Sequence, residues 1–323
     1  GGGGEDDAKD DDPPPLDVHT GDMRWTPDIT EDIMAKCREG GCKVGTVYLD
    51  TTYARPNLRL PSQSSAVSSI SSHIKACFSP TTLFLLSCYS IGKEKVLLAA
   101  SEAVRGVKGT HRGLLYANPS KAAMLRCVSE GCARPAGVSK GSDSNSDSDD
   151  GERVGISRPP MANRREGRPE AGGSDPPHPY STISSLVTQD PSATNLHIVP
   201  MSVAGSMFPY YLPDFRSCAD YADSSSPGKY DRIIAYIPTG HAEATKWNVR
   251  NAVRTATVPR RMSGLPGALR PEDDEDTVDV EVRLVGYSEH SSFAELLEFL
   301  RGVRPAKVVP TVYGGEGDRR RME

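Results

Sequence analysis

The residues best suited to chemistry in this sequence lie in two loops at opposite ends of the chain. The loop His19-Thr20-Gly21-Asp22 follows a short apolar run and presents a carboxylate, and the loop Tyr287-Ser288-Glu289-His290-Ser291-Ser292 presents an imidazole. Both groups bind divalent metal ions, and loops at strand ends hold such ligands well because the sheet fixes them. We therefore predict one metal site divided across the sequence. For Thr-Gly-Asp alone, a turn in which Asp bonds its own backbone is the structural alternative.

A second carboxylate ends another hydrophobic run. In Leu49-Asp50-Thr51-Thr52-Tyr53, the side chain of Asp50 either orients a metal ligand or caps the following turn. Ser292-Phe293-Ala294-Glu295 has the form of a helix capping box, which would hold the preceding His290 next to a well-fixed helix start.

A third motif, Tyr89-Ser90-Ile91-Gly92-Lys93-Glu94-Lys95, joins a predicted strand to a predicted helix. The hydroxyls of Tyr89 and Ser90, the amides of the helix start and Lys93 would form an anion cradle, with a purely structural strand-to-helix turn as the alternative. A Walker loop is excluded, because Ser87 and Glu94 stand where that motif requires Gly and Ser or Thr. A fourth motif, the hydroxyl-rich segment 190–197, predicts a turn, and a structural role for His197 is preferred over metal ligation.

Taken in order, these motifs resemble the DNA cross-link repair exonucleases of the β-CASP metallo-β-lactamase superfamily. The resemblance implies that Asp22 bridges two zinc ions, that His290 completes the metal surroundings and that Asp50 is an orienting carboxylate, the three together forming the catalytic set. It also implies that Tyr89, Ser90 and Lys93 bind the terminal phosphate of the substrate. Glu94 takes the family's acidic β-CASP position.

The fold implied is α/β: the second half of a metallo-β-lactamase αββα sandwich with an inserted β-CASP domain. Residues 16–55 and 280–313 would form the metallo-β-lactamase portion and 56–245 the β-CASP domain. Composition predicts disorder at 1–15 and in an insertion at 134–180, loops at 218–228 and 253–278, and a tail at 314–323. Between them, strands alternate with helices, as in layered α/β folds. The predicted strands begin near Val44, Thr82, Leu196, Arg232, Val280 and Lys307, and the predicted helices near Ser62, Lys95 and Phe293.

The activity implied for the complete protein is metal-dependent 5′-to-3′ exonucleolytic hydrolysis of DNA in interstrand cross-link repair, in the nucleus, on 5′-phosphorylated or damaged DNA. The superfamily's His-x-His-x-Asp-His motif is missing, and the 323 residues contain no His-x-His sequence at all. Asp22 and His290 alone cannot build a two-zinc site, so we expect this chain to be an incomplete and inactive portion of a nuclease. A non-catalytic DNA-binding or scaffold relative is the alternative. An RNA-processing endonuclease is disfavoured by Val312, which lies about where such enzymes carry a His.

Charge and cysteine content agree with a DNA partner in a reducing compartment. The net charge is −5, but residues 1–15, 141–152 and 271–281 carry −5, −5 and −7, so the remainder carries +12. A basic remainder favours phosphate binding, although acidic segments also offset basic faces that bind nothing. Seven cysteines without a C-x-x-C pair match neither a disulfide framework nor a zinc ribbon. The sequence offers no membrane span, and its protein partners stay unknown.

Overall fold

The protein is described from a computed structural model, which covers residues 13–89, 91–107, 113–133, 179–206, 211–244, 252–260 and 276–312. In these ranges the strands are β1 (Leu16–His19), β2 (Val44–Leu49), β3 (Thr82–Ser87), β4 (Leu115–Tyr116), β5 (Val187–Thr188), β6 (Leu196–Val199), β7 (Gly205–Ser206), β8 (Leu212–Pro213), β9 (Arg232–Thr239), β10 (Val253–Pro259), β11 (Thr277–Gly286) and β12 (Lys307–Pro310). The helices are α1 (Pro27–Gly40), α2 (Gln63–Cys77), α3 (Glu94–Val104), α4 (Pro119–Ala133), α5 (Met201–Ala204), α6 (Phe215–Ser225), α7 (His241–Ala244) and α8 (Phe293–Val303), with 3-10 helices at Pro179–Leu186 and Pro191–Ala193. This is an α/β fold, as the sequence predicted.

A seven-stranded sheet with the order β10-β11-β9-β3-β6-β4-β5 forms the larger layer. Every neighbouring pair is parallel except β10 and β11, which are antiparallel at one edge. Leu83 and Leu85 of β3 pack on one face in a cluster with α6, whereas Phe84 and Leu86 pack on the other with α2, α3 and α4. Because helices cover both faces, the central strands are apolar at nearly every position. Each of these side chains contributes about 1.5 to 3 kcal/mol through burial.

A second, parallel sheet has the order β1-β2-β12. Val47 and Leu49 of β2 pack against Leu296 and Phe299 of α8 and Cys37 of α1. In both sheets the parallel strands end at Asp50, Tyr89, Gly240 and Tyr287 or close to them, so the loops that follow carry the motifs found in the sequence. Loops at the carboxyl ends of parallel strands are the usual place for ligand sites in α/β folds.

The structure corrects two expectations, about residues 218–228 and 253–278, and shows how the strands of 280–313 pair. Residues 218–228 are not a loop: α6 covers most of them, because Asp214 caps the helix and the small residues Cys218, Ala219 and Ala222 form a buried face. The expected loop 253–278 contains β10, a mostly exposed edge strand whose polar side chains concealed it. Within 280–313, β11 pairs with β9 in the large sheet, and it is β12 that pairs with β2.

Several expectations concern residues that the structure does not describe. The disorder predicted at 1–15 and 134–180 and the tail at 314–323 lie wholly or mostly outside the described ranges, and so does Ser90. The division into a metallo-β-lactamase portion and a β-CASP domain stays a prediction. Across the described part of the chain, no helix combines the length and apolar character needed to cross a membrane.

Candidate metal centre and phosphate pocket

The side chains of Asp22, Asp50 and His290 come together at the strand ends, and we call them the carboxylate–histidine cluster. One potential ligand atom from each lies within 4.8 Å of the other two. Asp22 is exposed, His290 is half-buried and Asp50 is buried. Two carboxylates and an imidazole at this separation form a donor set suited to a divalent cation.

Asp50 and His290 are joined directly. Nδ1 of His290 lies 2.7 Å from Oδ2 of Asp50, and Oδ1 of Asp50 accepts hydrogen bonds from the Thr52 amide at 3.0 Å and the Thr52 hydroxyl at 2.6 Å. Burial would raise the pKa of Asp50, but these hydrogen bonds outweigh it and hold the pKa of the carboxyl below its usual value. The hydrogen bond to Asp50 in turn raises the pKa of His290, against an opposing effect of burial.

The direction of this hydrogen bond decides which ring nitrogen is available to a metal. An ionised Asp50 has no proton to give, so Nδ1 of His290 must donate. Nε2 of the neutral ring then keeps its lone pair for a metal ion. Both oxygens of Asp50 are engaged, so its carboxylate suits an orienting role better than direct ligation.

A clamp of hydrogen bonds fixes the Asp22 loop against the His290 loop. The hydroxyl of Ser291 donates to the carbonyl of Met23 at 2.6 Å and accepts from the amide of Trp25 at 2.9 Å. Beside it, the buried guanidinium of Arg24 binds the Glu295 carboxylate at 2.9 Å and the Pro61 carbonyl at 2.9 Å. Because the clamp joins segments more than 260 residues apart, the spacing of Asp22 from His290 depends on tertiary structure.

Lys93 lies in a second group of side chains at the start of α3. It is 6% exposed, and its φ of 74° lies in the left-handed region, which a lysine rarely adopts. Its Nζ lies 4.7 Å from the ring centroid of Tyr287 and 6.0 Å from that of Tyr89. Burial lowers the pKa of Lys93, and this effect is larger than the opposing effects of Glu289 and neighbouring groups. An ammonium with so little exposure to water interacts more strongly with an anion than an exposed one does.

Glu289 directly precedes His290 in the chain and contacts Lys93 and Tyr287. The sequence analysis gave it no role. Its carboxylate accepts hydrogen bonds from the Tyr287 hydroxyl at 2.6 Å, the Gln63 amide at 2.7 Å and the Lys93 backbone amide at 3.3 Å. Burial alone would raise the pKa of Glu289, but these donors more than offset it and lower the pKa. Its place beside His290 in the same motif was the only signal in the sequence. We refer to Lys93, Tyr287 and Glu289 as the Lys93 pocket.

Glu94 and Tyr89 take different places around this pocket. Glu94 is buried, and its carboxylate accepts a hydrogen bond from the Gly92 amide at 3.0 Å, which closes the turn before α3. It does not belong to the carboxylate–histidine cluster. Tyr89 is half exposed at the edge of the Lys93 pocket.

Tyr53 and His241 complete the surroundings of His290. The Tyr53 ring meets the His290 and His241 rings edge-on, at centroid distances of 5.8 Å and 6.0 Å. Tyr53 also passes so close to Gly240 that a Cβ there would meet its hydroxyl at 2.6 Å, so glycine is required. The sequence analysis singled out neither ring, because this contact joins three distant segments.

Comparison with known proteins identifies related sequences. A family model described as DNA repair metallo-beta-lactamase matches residues 181–316, which include His290. DNA cross-link repair 1A protein of Mus musculus is 26% identical over 300 residues, and DNA cross-link repair protein SNM1 of Arabidopsis thaliana is 27% identical over 311. The sequence is similar to the DNA cross-link repair metallo-β-lactamase family. This confirms the resemblance drawn from the motifs.

The alignments with members of the DNA cross-link repair metallo-β-lactamase family cover 92% and 95% of this chain but only 20% and 46% of those two relatives. DNA ligase 6 of Arabidopsis thaliana is 27% identical over 91% of the chain, which spans 15% of that protein. The family implies metal ions. The residues present fit this implication in part, because Asp22, Asp50 and His290 place one potential ligand atom each within 4.8 Å of one another and Asp50 is hydrogen-bonded to His290.

Proposed function

We propose that this chain contributes the carboxylate–histidine half of a metal-dependent DNA nuclease that acts in interstrand cross-link repair. The observation that carries the proposal is the convergence of Asp22, Asp50 and His290 within 4.8 Å, at the end of the two sheets where the Lys93 pocket also lies. This arrangement suits the hydrolysis of a phosphodiester near a phosphorylated end, because a metal ion and a buried cation can both stabilise negative charge on phosphate oxygens. Similarity to the DNA cross-link repair metallo-β-lactamase family supports the same function.

Each side chain has a distinct role in this proposal. Asp22 is the exposed carboxylate that would bridge two zinc ions, Nε2 of His290 is a further ligand, and Asp50 holds the imidazole in the productive tautomer. Zinc, when bound, supplies Lewis acidity toward the phosphate and a more acidic water. The half-buried position of His290 keeps the imidazole within reach of solvent and substrate.

The Lys93 pocket would bind the 5′-phosphate of the DNA end. Its ammonium is largely removed from water, so a phosphate that enters gains more than it would from an exposed lysine. We propose Tyr89 and Ser90 as further contacts, with 5′-phosphorylated or damaged DNA as the substrate, 5′-to-3′ exonucleolytic cleavage as the reaction and the nucleus as the location. Glu94 supports the pocket by holding the Gly92 turn.

A specific observation also favours a second candidate function. The 323 residues contain no His-x-His sequence, and the cluster offers two direct ligand positions where a catalytic zinc needs three protein ligands. This chain by itself would then bind DNA without cleaving it. A non-catalytic DNA-binding relative is therefore the alternative.

Zinc content and digestion of 5′-phosphorylated single-stranded DNA test the proposal. We would compare this chain with the same chain extended upstream on the genomic sequence, and include Asp22→Asn and the exposed control Glu31→Gln in both. We expect the extended protein to hold about two zinc ions and to digest DNA. Asp22→Asn should lose both the zinc and the digestion, and Glu31→Gln should keep both. If no extension supplies the His-x-His-x-Asp-His motif, and the chain binds DNA without zinc or cleavage, the non-catalytic function replaces the nuclease.

A further inference from the structure

Two apolar side chains project from the loop between β3 and α3. Ile91 is 66% exposed and Tyr89 is 50% exposed, which places them among the most exposed large hydrophobic residues in the described ranges. Single exposed apolar residues are common and need no explanation, but two at alternate positions beside a ligand pocket present a small apolar surface. We call Tyr89 and Ile91 the loop platform.

Hydrogen bonds on both sides fix the backbone of the loop platform. The Tyr89 carbonyl accepts from Nζ of Lys121 at 2.9 Å, and the preceding Cys88 amide donates to the Val199 carbonyl of β6 at 3.0 Å. On the other side, the Gly92 amide donates to the Glu94 carboxylate. Tyr89 and Ile91 therefore each lie next to a backbone group that is held by a hydrogen bond.

Tyr89 lies close to side chains of both groups of the site. Its ring is 6.0 Å from Nζ of Lys93, on the rim of the Lys93 pocket. Tyr89 is also a neighbour of Tyr53, whose pKa is raised to about 12 by burial first and by Tyr89 next. Tyr53 itself contacts the ring of His290. A DNA end with its phosphate at Lys93 would thus carry its base past Tyr89.

We infer that the ring of Tyr89, flanked by Ile91, is a stacking surface for the base of the terminal nucleotide. The inference rests on the proposed function and narrows its substrate class. Stacking on an aromatic ring contributes about 1 to 3 kcal/mol per base and accepts every base, because each has a π-face. A base that stacks on Tyr89 must leave its own duplex stack. The preferred substrate is therefore an unpaired 5′ end rather than a blunt duplex end.

Metal-free DNA binding separates this inference from the nuclease activity. The probe is a 5′-phosphorylated single strand with 2-aminopurine as its first base, titrated with the chain in EDTA, so that fluorescence quenching reports stacking and anisotropy reports affinity. The variants are Tyr89→Ala, Tyr89→Phe and Ile91→Ser. Tyr48→Ala is the matched control, because Tyr48 is an exposed tyrosine on the three-stranded sheet.

We expect Tyr89→Phe to keep the quenching and to lose only the hydroxyl contact with the phosphate, about 2- to 10-fold in affinity. Tyr89→Ala should lose the quenching and about 5- to 100-fold in affinity. Ile91→Ser should show a smaller loss, and Tyr48→Ala none. An abasic first nucleotide should weaken the wild type as much as Tyr89→Ala does, with no further loss when the two changes are combined. A blunt duplex with the same phosphate should bind more weakly than the single strand.

Three outcomes would overturn the stacking inference. The first is an equal loss of affinity and quenching in Tyr89→Phe and Tyr89→Ala, which would assign the contact to the hydroxyl. The others are retained quenching in Tyr89→Ala and no binding of the single strand by the wild type. None of these depends on zinc or cleavage. The nuclease proposal fails separately, through the zinc and digestion measurements. Removal of the 5′-phosphate, or Lys93→Ala, tests the phosphate pocket in the same titration without altering the Tyr89 comparison.

Discussion

The carboxylate of Asp50 and the imidazole of His290 meet at 2.7 Å although 240 positions separate them in the chain. The contact joins the end of β2 in the small sheet to the loop after β11 in the large sheet. It sets the tautomer of His290 and leaves the lone pair of Nε2 unengaged by Asp50. The contact therefore links the fold to the metal chemistry proposed for this site.

Asp50→Asn should weaken the interaction of His290 with zinc by about 10- to 100-fold, because partners that orient a ligating histidine typically contribute that much. Asparagine keeps the shape of the side chain but loses its charge. The measurement is a zinc titration followed by the imidazole resonances of His290, which detects weak as well as tight binding. Glu31→Gln, on the exposed side of α1, is the control. An Asp50→Asn titration that overlays the wild type would exclude an orienting role.

Ser291→Ala should destabilise the protein by about 2 kcal/mol, because it leaves the Met23 carbonyl and the Trp25 amide without their partner in a buried place. It should also weaken the zinc response of His290, since the clamp sets the distance to Asp22. Ser292→Ala removes the cap of α8 and should cost about 1 kcal/mol while leaving the zinc response unchanged. Urea denaturation and the same titration compare the two. Equal zinc responses would argue against the clamp.

Arg260→Ala should be among the more damaging single substitutions away from the site, at about 2 to 3 kcal/mol. The buried guanidinium contacts Asp223, the carbonyl of Tyr230 and, at 3.0 Å, Asp276, so its loss leaves two partly exposed carboxylates without their cation and the Tyr230 carbonyl without this donor. Arg301→Ala breaks an exposed pair with Glu298 and should cost less than about 0.5 kcal/mol. Free energies of unfolding from urea titrations decide between them. Similar values for both would mean that burial of Arg260 has no energetic consequence.

Stability should fall in mild acid because of His197. Burial lowers the pKa of this histidine to about 4, and both partners of Nε2 are carbonyls, of Pro191 and Thr194, so the folded protein holds the ring neutral with its proton on Nε2. The unfolded chain takes up a proton near pH 6.5 and the folded one only near pH 4. His197 therefore leaves stability unaffected above about pH 6.5 and reduces it by up to about 3 kcal/mol as the pH falls toward 4.

His197→Gln isolates this effect, since glutamine keeps a donor toward the same carbonyls but does not titrate. Unfolding free energies of the wild type and the variant are compared between pH 7 and pH 4. The difference between them should shrink as the pH falls. A constant difference would show that His197 is not the titrating group.

Much of the fold was predictable because its central strands have a clear pattern in the sequence. Runs such as Thr82–Ser87 and Arg232–Thr239 are apolar at nearly every position, as buried parallel strands are. The edge strand β10 was missed because only one side of it pairs and most of its side chains face solvent. The helix α6 was missed because its buried face consists of cysteine and alanine. A short, small-residue face gives a weak periodic signal.

The residues of the candidate site also fall into a group that could be predicted from the sequence and a group that could not. Asp22, Asp50 and His290 lie in local motifs, so their positions could be predicted, and the structure brings them together. Arg24, Gln63 and Glu289 could not be assigned, because their partners are tertiary: Gln63 of α2 reaches Glu289 across 226 positions. A residue whose role is defined only by a distant partner leaves no pattern in its own neighbourhood.

The order of the cluster along the chain also has a consequence for protein synthesis. Domains fold from the N-terminus as they leave the ribosome, and Asp22 and Asp50 emerge long before His290. A nascent chain that has completed β11 already holds all seven strands of the large sheet, yet it carries two carboxylates with no imidazole between them. In the proposed function, a metal ion that uses His290 as a ligand can therefore bind only after β11 has been synthesised. A translation product that stops before residue 290 would contain every strand of the large sheet while lacking the histidine of the carboxylate–histidine cluster.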